Sequence, residues 1–99
     1  MIFDGPAKFE LGQIVGTPQA LRLCSLHNVE VFDLLRRHAS GDWGNLGADD
    51  AAANKSALND GSRILSAYIF PAGKVWLLTD AEGDDGHRAS TCLMLPGDY

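Results

Sequence analysis

The chain lacks an excess of basic residues and a long apolar run, and each shortage excludes a class of protein. Eight Lys and Arg stand against thirteen Asp and Glu, which gives a net charge of −5. Wrapping nucleic acid without sequence preference needs a surplus of positive charge, so we expect no nonspecific nucleic-acid binding. The apolar runs are far shorter than the roughly 20 residues that span a bilayer, so we expect no membrane segment.

Cysteine is scarce as well. The two cysteines, Cys24 and Cys92, have no Cys or His near them at the spacing of a zinc site, and we interpret both as reduced core thiols. The stretch from Met1 to Pro6 has neither the basic nor the continuous apolar part of a secretory signal. We therefore expect a cytoplasmic protein.

Motifs for cofactors and metals are also missing. The chain has no glycine-rich phosphate loop, no nucleophile elbow and no His-Glu-x-x-His pattern. The acidic loop, residues 80–87, has carboxylates at alternate positions like a calcium loop, but Asp85 replaces the required glycine and Thr91 replaces the bidentate Glu. We expect no cofactor and no metal. We interpret the loop as a solvated hairpin connection or, together with Asp49 and Asp50, as an acidic patch for a basic protein surface.

What is present suits one small domain. Ninety-nine residues, 45% of them hydrophobic, are enough to bury a core of their own, so residues 1–99 are predicted to form a single domain. Residues 1–10 are interpreted as a loosely ordered arm. Residues 9–15 alternate imperfectly between apolar and polar, which fits either a short strand or an extended arm packed on the body.

Three helices are predicted in the first two thirds of the chain. Thr17-Pro18 is a helix start, because the hydroxyl can cap free N–H groups and proline costs nothing at the first helical position. This helix should run to about Leu26. A second, with apolar residues at i, i+3 and i+4 from Val31, should end near Ser40-Gly41. A third should run from Ala48 to about Asn59, with Gly61 ending it and Asn54 pointing inward.

After Gly61 the spacing of the hydrophobic residues changes from the period of a helix to a period of two residues, which is that of a strand. Strands are predicted over Arg63 to Phe70, Val75 to Leu78 and Ala89 to Leu95, with Pro71-Ala72-Gly73 as a turn between the first two. The predicted fold is therefore α+β, with about three N-terminal helices packed on a C-terminal three-stranded antiparallel meander.

Several spaced motifs run through the chain: Thr17-Pro18-x-Ala20-Leu21, His38-x-x-Gly41-Asp42-Trp43-Gly44-x-Leu46, Asn54, Gly61-x-Arg63-x-x-Ser66-x-Tyr68, Trp76-x-x-Thr79 and Arg88-x-Ser90-Thr91-x-x-x-Leu95-Pro96-x-x-Tyr99. Together they resemble the motifs of a family of small bacterial proteins carried on plasmids and integrated mobile elements, usually described as plasmid-related. The resemblance covers about Leu11 to Tyr99 and implies a genetic setting without a mechanism. The loop Asp80 to His87 departs from the family by being longer.

A candidate catalytic set follows from a second likeness. Helices followed by an antiparallel meander are similar to the barnase, colicin and RelE-like group of small ribonucleases and toxins, which is a likeness of architecture alone. RNA cleavage needs a general base, an acid and a positive group at the phosphate, and the candidates are His38, Arg63, Tyr68 and Thr91, with Ser66 as a further member. The alternative is that these residues have structural roles in the fold. Strand alternation, without a bulge, places Ser66 and Tyr68 on one face and Arg63 on the other.

Binding is the other candidate function. Trp43 in its Gly-Asp-Trp-Gly turn is either a buried anchor or an exposed contact for a partner, and Asp42 either holds the turn or contributes to that contact. Arg63 and Tyr68 complete the candidate binding set. We expect an accessory protein that binds another protein, in counter-defence or regulation, with a small ribonuclease or toxin as the alternative. A homodimer that pairs through an exposed strand edge is a third hypothesis.

Overall fold

The computed structural model describes residues 6–99, which form helices packed against a β-sheet. The elements in chain order are β1 (Gln13–Gly16), α1 (Pro18–Leu26), α2 (Val31–Ala39), α3 (Ala48–Asp60), β2 (Ile64–Phe70), β3 (Gly73–Thr79) and β4 (Ser90–Met94), followed by a 3-10 turn at Pro96–Asp98. The α+β class and the three helices are thus confirmed. Within residues 6–99 no helix has the length and apolar character needed to cross a membrane.

The helix boundaries follow from local chemistry. Thr17 Oγ1 accepts a hydrogen bond from the Ala20 N–H at 3.3 Å, and Pro18 occupies the first turn of α1. Just beyond α1, Asn28 has a φ of 57°, and Gly61 ends α3 with a φ of 80°. Both backbone conformations belong to the left-handed region that closes helices.

The sheet has four strands in the order β1-β4-β3-β2, one more than predicted. The three C-terminal strands form the expected antiparallel meander, with Leu65 opposite Leu78 and Leu78 opposite Cys92. The fourth strand corrects the prediction, because β1 pairs in parallel with β4, Ile14 lying beside Thr91. No turn signal marks a parallel pair formed by the two ends of a chain, so local sequence reasoning missed it.

The core lies between the helices and one face of the sheet, which we call the core face. Its buried cluster consists of Ala20, Cys24, Leu34, Leu35, Tyr68, Val75, Leu77 and Leu93. Both cysteines are free, as expected, but only Cys24 belongs to the core, because Cys92 is partly buried on the opposite face of the sheet. Burial raises the pKa of each thiol. Inert, protonated thiols fit a packing role for both side chains.

The N-terminal arm falls partly outside the described residues, since residues 1–5 are not among them. Lys8 donates its backbone N–H to the Ala39 carbonyl at 2.8 Å. Farther along, the Glu10 carboxylate accepts from the Arg88 N–H at 2.7 Å. These two bonds attach the second half of the predicted arm to the end of α2 and to the segment before β4.

The outer edge of β2 is occupied by other parts of the chain. Asn54 on α3 accepts from the Leu65 N–H at 3.0 Å and donates to the Leu65 carbonyl at 2.6 Å. Farther along, the Ala67 N–H donates to the Trp43 carbonyl and the Ala67 carbonyl accepts from the Asn45 N–H. This edge therefore offers little unpaired backbone to a second copy, which weakens the hypothesis of edge-to-edge dimerisation at β2.

Asn54→Ala tests the protection of this edge. It leaves the N–H and carbonyl of Leu65 without partners, so we expect the free energy of unfolding to fall by about 2 kcal/mol. Urea denaturation measures it. Asn59→Ala, an exposed change on the same helix, is the matched control and should stay within about 0.5 kcal/mol of wild type. Equal stability of the two variants would show that the Asn54 amide does not hold β2.

Candidate functional site

The sheet separates the residues of the candidate catalytic set. Ser66 and Tyr68 are buried on the core face, where His38 of α2 bonds to Ser66, whereas Arg63 is exposed. Arg63 lies beside Leu65 and Trp76 on the opposite face, which we call the open face. The alternation of side chains along β2 causes this separation. His38 and Thr91 are brought into one cluster with Ser66, and Arg63 is kept away from it.

His38 is the centre of a buried hydrogen-bonded chain. Its Nδ1 lies 2.5 Å from Ser66 Oγ and its Nε2 lies 2.8 Å from Thr79 Oγ1. Thr79 Oγ1 lies 2.7 Å from Thr91 Oγ1, and Thr91 donates to the Leu11 carbonyl at 2.7 Å. The four side chains have 0% exposure. They tie α2 to β2, β3, β4 and the segment before β1.

The direction of the protons in this chain follows from its last member. A carbonyl oxygen only accepts, so the Thr91 hydroxyl gives its proton to Leu11 and must accept from Thr79. Thr79, whose single proton is used, accepts from His38 Nε2–H. Because the lowered pKa of His38 keeps the imidazole neutral, its Nδ1 carries no proton and accepts from the Ser66 hydroxyl. Every proton donor of the chain has one acceptor.

Burial and a nearby cation keep His38 neutral. Loss of hydration on burial, followed by the charge of Arg88, lowers the pKa of His38 from 6.5 to about 3. Phe9 covers the ring edge-on, with 5.1 Å between ring centroids, and the Arg88 guanidinium lies 5.7 Å from the centre of the Phe9 ring. The arm thus closes the cluster from outside.

Arg88 is a buried cation whose described partners are carbonyl oxygens. Its Nη1 donates to the carbonyls of Ser62 and Asp80 at 2.7 and 3.0 Å, and its Nη2 donates to the Ala57 carbonyl at 3.1 Å. Ala57 lies in the last turn of α3, where the helix dipole favours a positive charge. Sequence reasoning missed Arg88 and Thr79 as members of the cluster; both stand in the quoted motifs, and the alternation along β3 assigns Thr79 to the core face.

The hydrogen bond between Ser66 and His38 resembles that of a serine nucleophile and its general base, but the residues around the pair do not support catalysis. The partner at the other ring nitrogen is the Thr79 hydroxyl, which has no charge to stabilise an imidazolium, whereas serine hydrolases use a carboxylate there. No surface of Ser66 reaches solvent. This arrangement fixes the position of α2 on the sheet and offers no room for a substrate.

The Gly-Asp-Trp-Gly turn is attached to the body by two of the candidate binding residues, Asp42 and Tyr68, together with Arg37. The Tyr68 hydroxyl donates to the Asp42 carbonyl at 2.8 Å, and the Asp42 carboxylate accepts from Arg37 at 2.7 Å. The hydrogen bond from Arg37 is the main cause that lowers the pKa of Asp42. Burial raises the pKa of Tyr68 to about 12. Tyr68 is thus a protonated structural donor, 1% exposed.

Trp43 is half-buried, which is intermediate between the buried anchor and the exposed contact that the sequence left as alternatives. Its indole Nε1 is buried without a hydrogen-bond partner among residues 6–99. The residue after Trp43, Gly44, must be glycine. It has a φ of 73°, and a Cβ at this position would lie 2.2 Å from the Ala67 carbonyl oxygen. The turn must approach the edge of β2 closely, which only glycine permits.

The open face contains a shallow cavity of about 100 Å³. Its walls are Arg63, Leu65, Trp76, Leu78 and Tyr99. Trp76 and Tyr99 meet edge-on, with centroids 6.0 Å apart and planes at 66°. The Arg63 guanidinium lies 5.5 Å from the centre of the Tyr99 ring and donates from Nη1 to the Tyr99 hydroxyl. The cavity therefore combines an apolar floor with one exposed positive charge.

Sequence reasoning singled out only Arg63 of this cavity. Alternation along β3 would have placed Trp76 on the same face, because Trp76 pairs with Ala67 and Leu78 pairs with Leu65. Tyr99 reaches the cavity only because the 3-10 turn at Pro96–Asp98 brings the chain end back towards β3. No periodic pattern signals that return.

The acidic residues are distributed at two ends of α3. Asp49 and Asp50 lie in its first turn, whereas the Glu82 N–H in the acidic loop donates to the Gly61 carbonyl at its far end. A helix of 13 residues separates the two groups by roughly 20 Å, so they do not form one compact patch. Among the described residues, no three His, Cys, Asp or Glu side chains are grouped so that they could hold a metal ion.

Comparison of the chain with family models, with curated proteins and with solved structures finds no match. The resemblance to plasmid-related proteins therefore stays a prediction, and the functional argument depends on the geometry of the two faces.

The neutral His38 predicts that stability falls in mild acid. The pKa of His38 is about 3 in the folded chain and near 6.5 in the unfolded chain. Below pH 6.5 the unfolded chain therefore binds a proton at His38 that the folded chain does not bind. From pH 7 to pH 5 this proton should remove about 2 kcal/mol from the free energy of unfolding, measured by urea denaturation.

His38→Gln should lose less stability over the same interval, because it carries no titrating ring, while His27→Gln, an exposed change, should behave as wild type. In the wild type, the His38 ring should also keep the NMR shifts of a neutral imidazole at pH 5. A charged ring at pH 5, or equal pH dependence in all three proteins, would contradict the assignment.

Proposed function

We propose that this protein is a non-catalytic accessory protein that binds another protein through the open face of its sheet. The observation that carries the proposal is the cavity in that face, where an exposed guanidinium borders partly buried apolar and aromatic side chains. Aromatic residues and arginine are the side chains that contribute most to binding energy at protein interfaces.

The surroundings of the cavity support this role. Leu65, Trp76, Leu78 and Cys92 lie on the open face and are all only partly buried, in contrast to Val75, Leu77 and Thr79 on the core face. Ile69 and Val15 extend the same side of the sheet and are 55% and 40% exposed. Several apolar side chains exposed on one side of a sheet are typical of a binding site.

The ribonuclease alternative receives less support from the same geometry. Its base, His38, is enclosed in the core, and its phosphate-binding group, Arg63, lies on the other side of the sheet. A mobile-element setting, with a role in counter-defence or regulation, enters the proposal from the resemblance of the motifs alone.

Site-specific photo-crosslinking tests where the partner binds. With p-benzoylphenylalanine in place of Ile69, which is 55% exposed on the open face and outside the cavity, a bacterial lysate should give one stoichiometric crosslinked protein at low and moderate salt. The same probe in place of Phe32, a 61% exposed aromatic of α2, is the control and should not capture it. Equal capture at both positions, or no specific capture at position 69, would reject the open face as the binding surface.

Induced expression tests the enzyme alternative. Because no solvent reaches Ser66 or His38, the wild type should neither slow bacterial growth nor cleave RNA, as measured by growth curves and by electrophoresis of total RNA. RNA cleavage by wild type that His38→Ala abolishes would contradict the binding proposal in favour of the ribonuclease.

A further inference from the structure

The cavity in the open face contains a cation whose best hydrogen-bonding edge has no partner among residues 6–99. Of the five N–H donors of Arg63, the described bond uses only Nη1, which donates to Tyr99. The ion pairs formed among residues 6–99 involve Arg36, Arg37 and His87, so no described carboxylate neutralises Arg63. The Nε–H and Nη2–H donors form the parallel fork that a carboxylate accepts at two oxygens.

The aromatic neighbours hold this guanidinium at the mouth of the cavity. Tyr99 binds it twice, through its hydroxyl and through the face of its ring. The ring also contacts Trp76, whose side chain lies on the floor beside Leu78. An arginine restrained in this way loses less conformational entropy when it binds an anion than a free surface arginine does.

We propose that the cavity binds an apolar residue of the partner protein that has a carboxylate next to it, with the apolar side chain on Trp76 and Leu78 and the carboxylate on Arg63. This inference rests on the proposed function and names the chemistry that the partner presents. A small, shallow cavity suits one side chain, and a single guanidinium suits one carboxylate.

A nucleotide would also offer an apolar ring and an anion, but the cavity suits it less well. Base recognition by stacking needs ring faces that are open in parallel, whereas Trp76 and Tyr99 meet edge-on at 66°. The net charge of −5 also opposes the approach of a polyanion. We therefore assign the anion to a protein carboxylate and keep the nucleotide as an outcome of the test.

NMR titration with paired small probes tests the inference without knowledge of the partner. N-acetyl-L-leucine and N-acetyl-L-leucinamide share one apolar side chain and differ by the carboxylate. Both should shift the resonances of Trp76 and Leu78, and the carboxylate form should bind about fivefold more tightly, which is the upper range for an exposed ion pair. Uridine 5′-monophosphate should bind more weakly than the carboxylate probe.

Two variants show whether the preference comes from Arg63. Arg63→Gln should bind the two leucine probes equally, and Arg63→Glu should prefer the amide. Lys74→Gln removes a cation from the other end of β3, also on the open face, and should keep the wild-type preference. Because Arg63 and Lys74 are exposed, all three variants should fold as wild type does.

Each outcome decides the inference separately from the proposed function. Equal binding of the two leucine probes to wild type, tighter binding of the nucleotide, or absence of shifts with every probe would overturn the carboxylate assignment. If crosslinking at position 69 still captures a partner in that case, the binding function stands and only the proposed chemistry fails. If the shifts arise from contact between two copies, they will depend on protein concentration without any probe, which also overturns the assignment.

Discussion

Burying a histidine requires that both of its ring nitrogens find partners, and this constraint organises the core of the protein. The unmet hydrogen bonds of a buried polar group cost more free energy than a bond gains, so His38 specifies where Ser66 and Thr79 must lie. Because those two residues belong to adjacent strands and the chain of hydroxyls continues to β4, one side chain sets the position of α2 against three strands. The arm completes the chain through the Leu11 carbonyl.

The same pleat that assembles this cluster separates it from the cavity. Ser66 points to the core and Leu65 to the open face, so neighbouring residues of β2 serve different purposes. The polar residues of the core face stabilise the fold, whereas the open face presents apolar and aromatic side chains with one cation to solvent. Choosing candidate catalytic residues by residue type alone therefore combines residues of the core face with residues of the open face. The sheet lies between them, so they cannot form one site.

Several details of the fold were readable because their causes are local. The cap at Thr17, the left-handed residues at Asn28 and Gly61, and the inward position of Asn54 each depend on a few neighbouring residues. The alternation that places Arg63 opposite Ser66 is local as well. The exact contact of Trp43 was not readable, because the half-buried position of its ring depends on how the turn meets the edge of β2.

By itself, the sequence determined the class of the fold, three helices followed by a meander, because hydrophobic period and capping act over short stretches of chain. Only the tertiary structure decided that β1 joins the sheet beside β4, that Arg88 donates to the Ala57 carbonyl in the last turn of α3, and that Tyr99 returns to cover Arg63. Each of these contacts joins segments far apart in the chain. These contacts are stabilised by packing and hydrogen bonds between distant segments, and a local sequence pattern does not predict them.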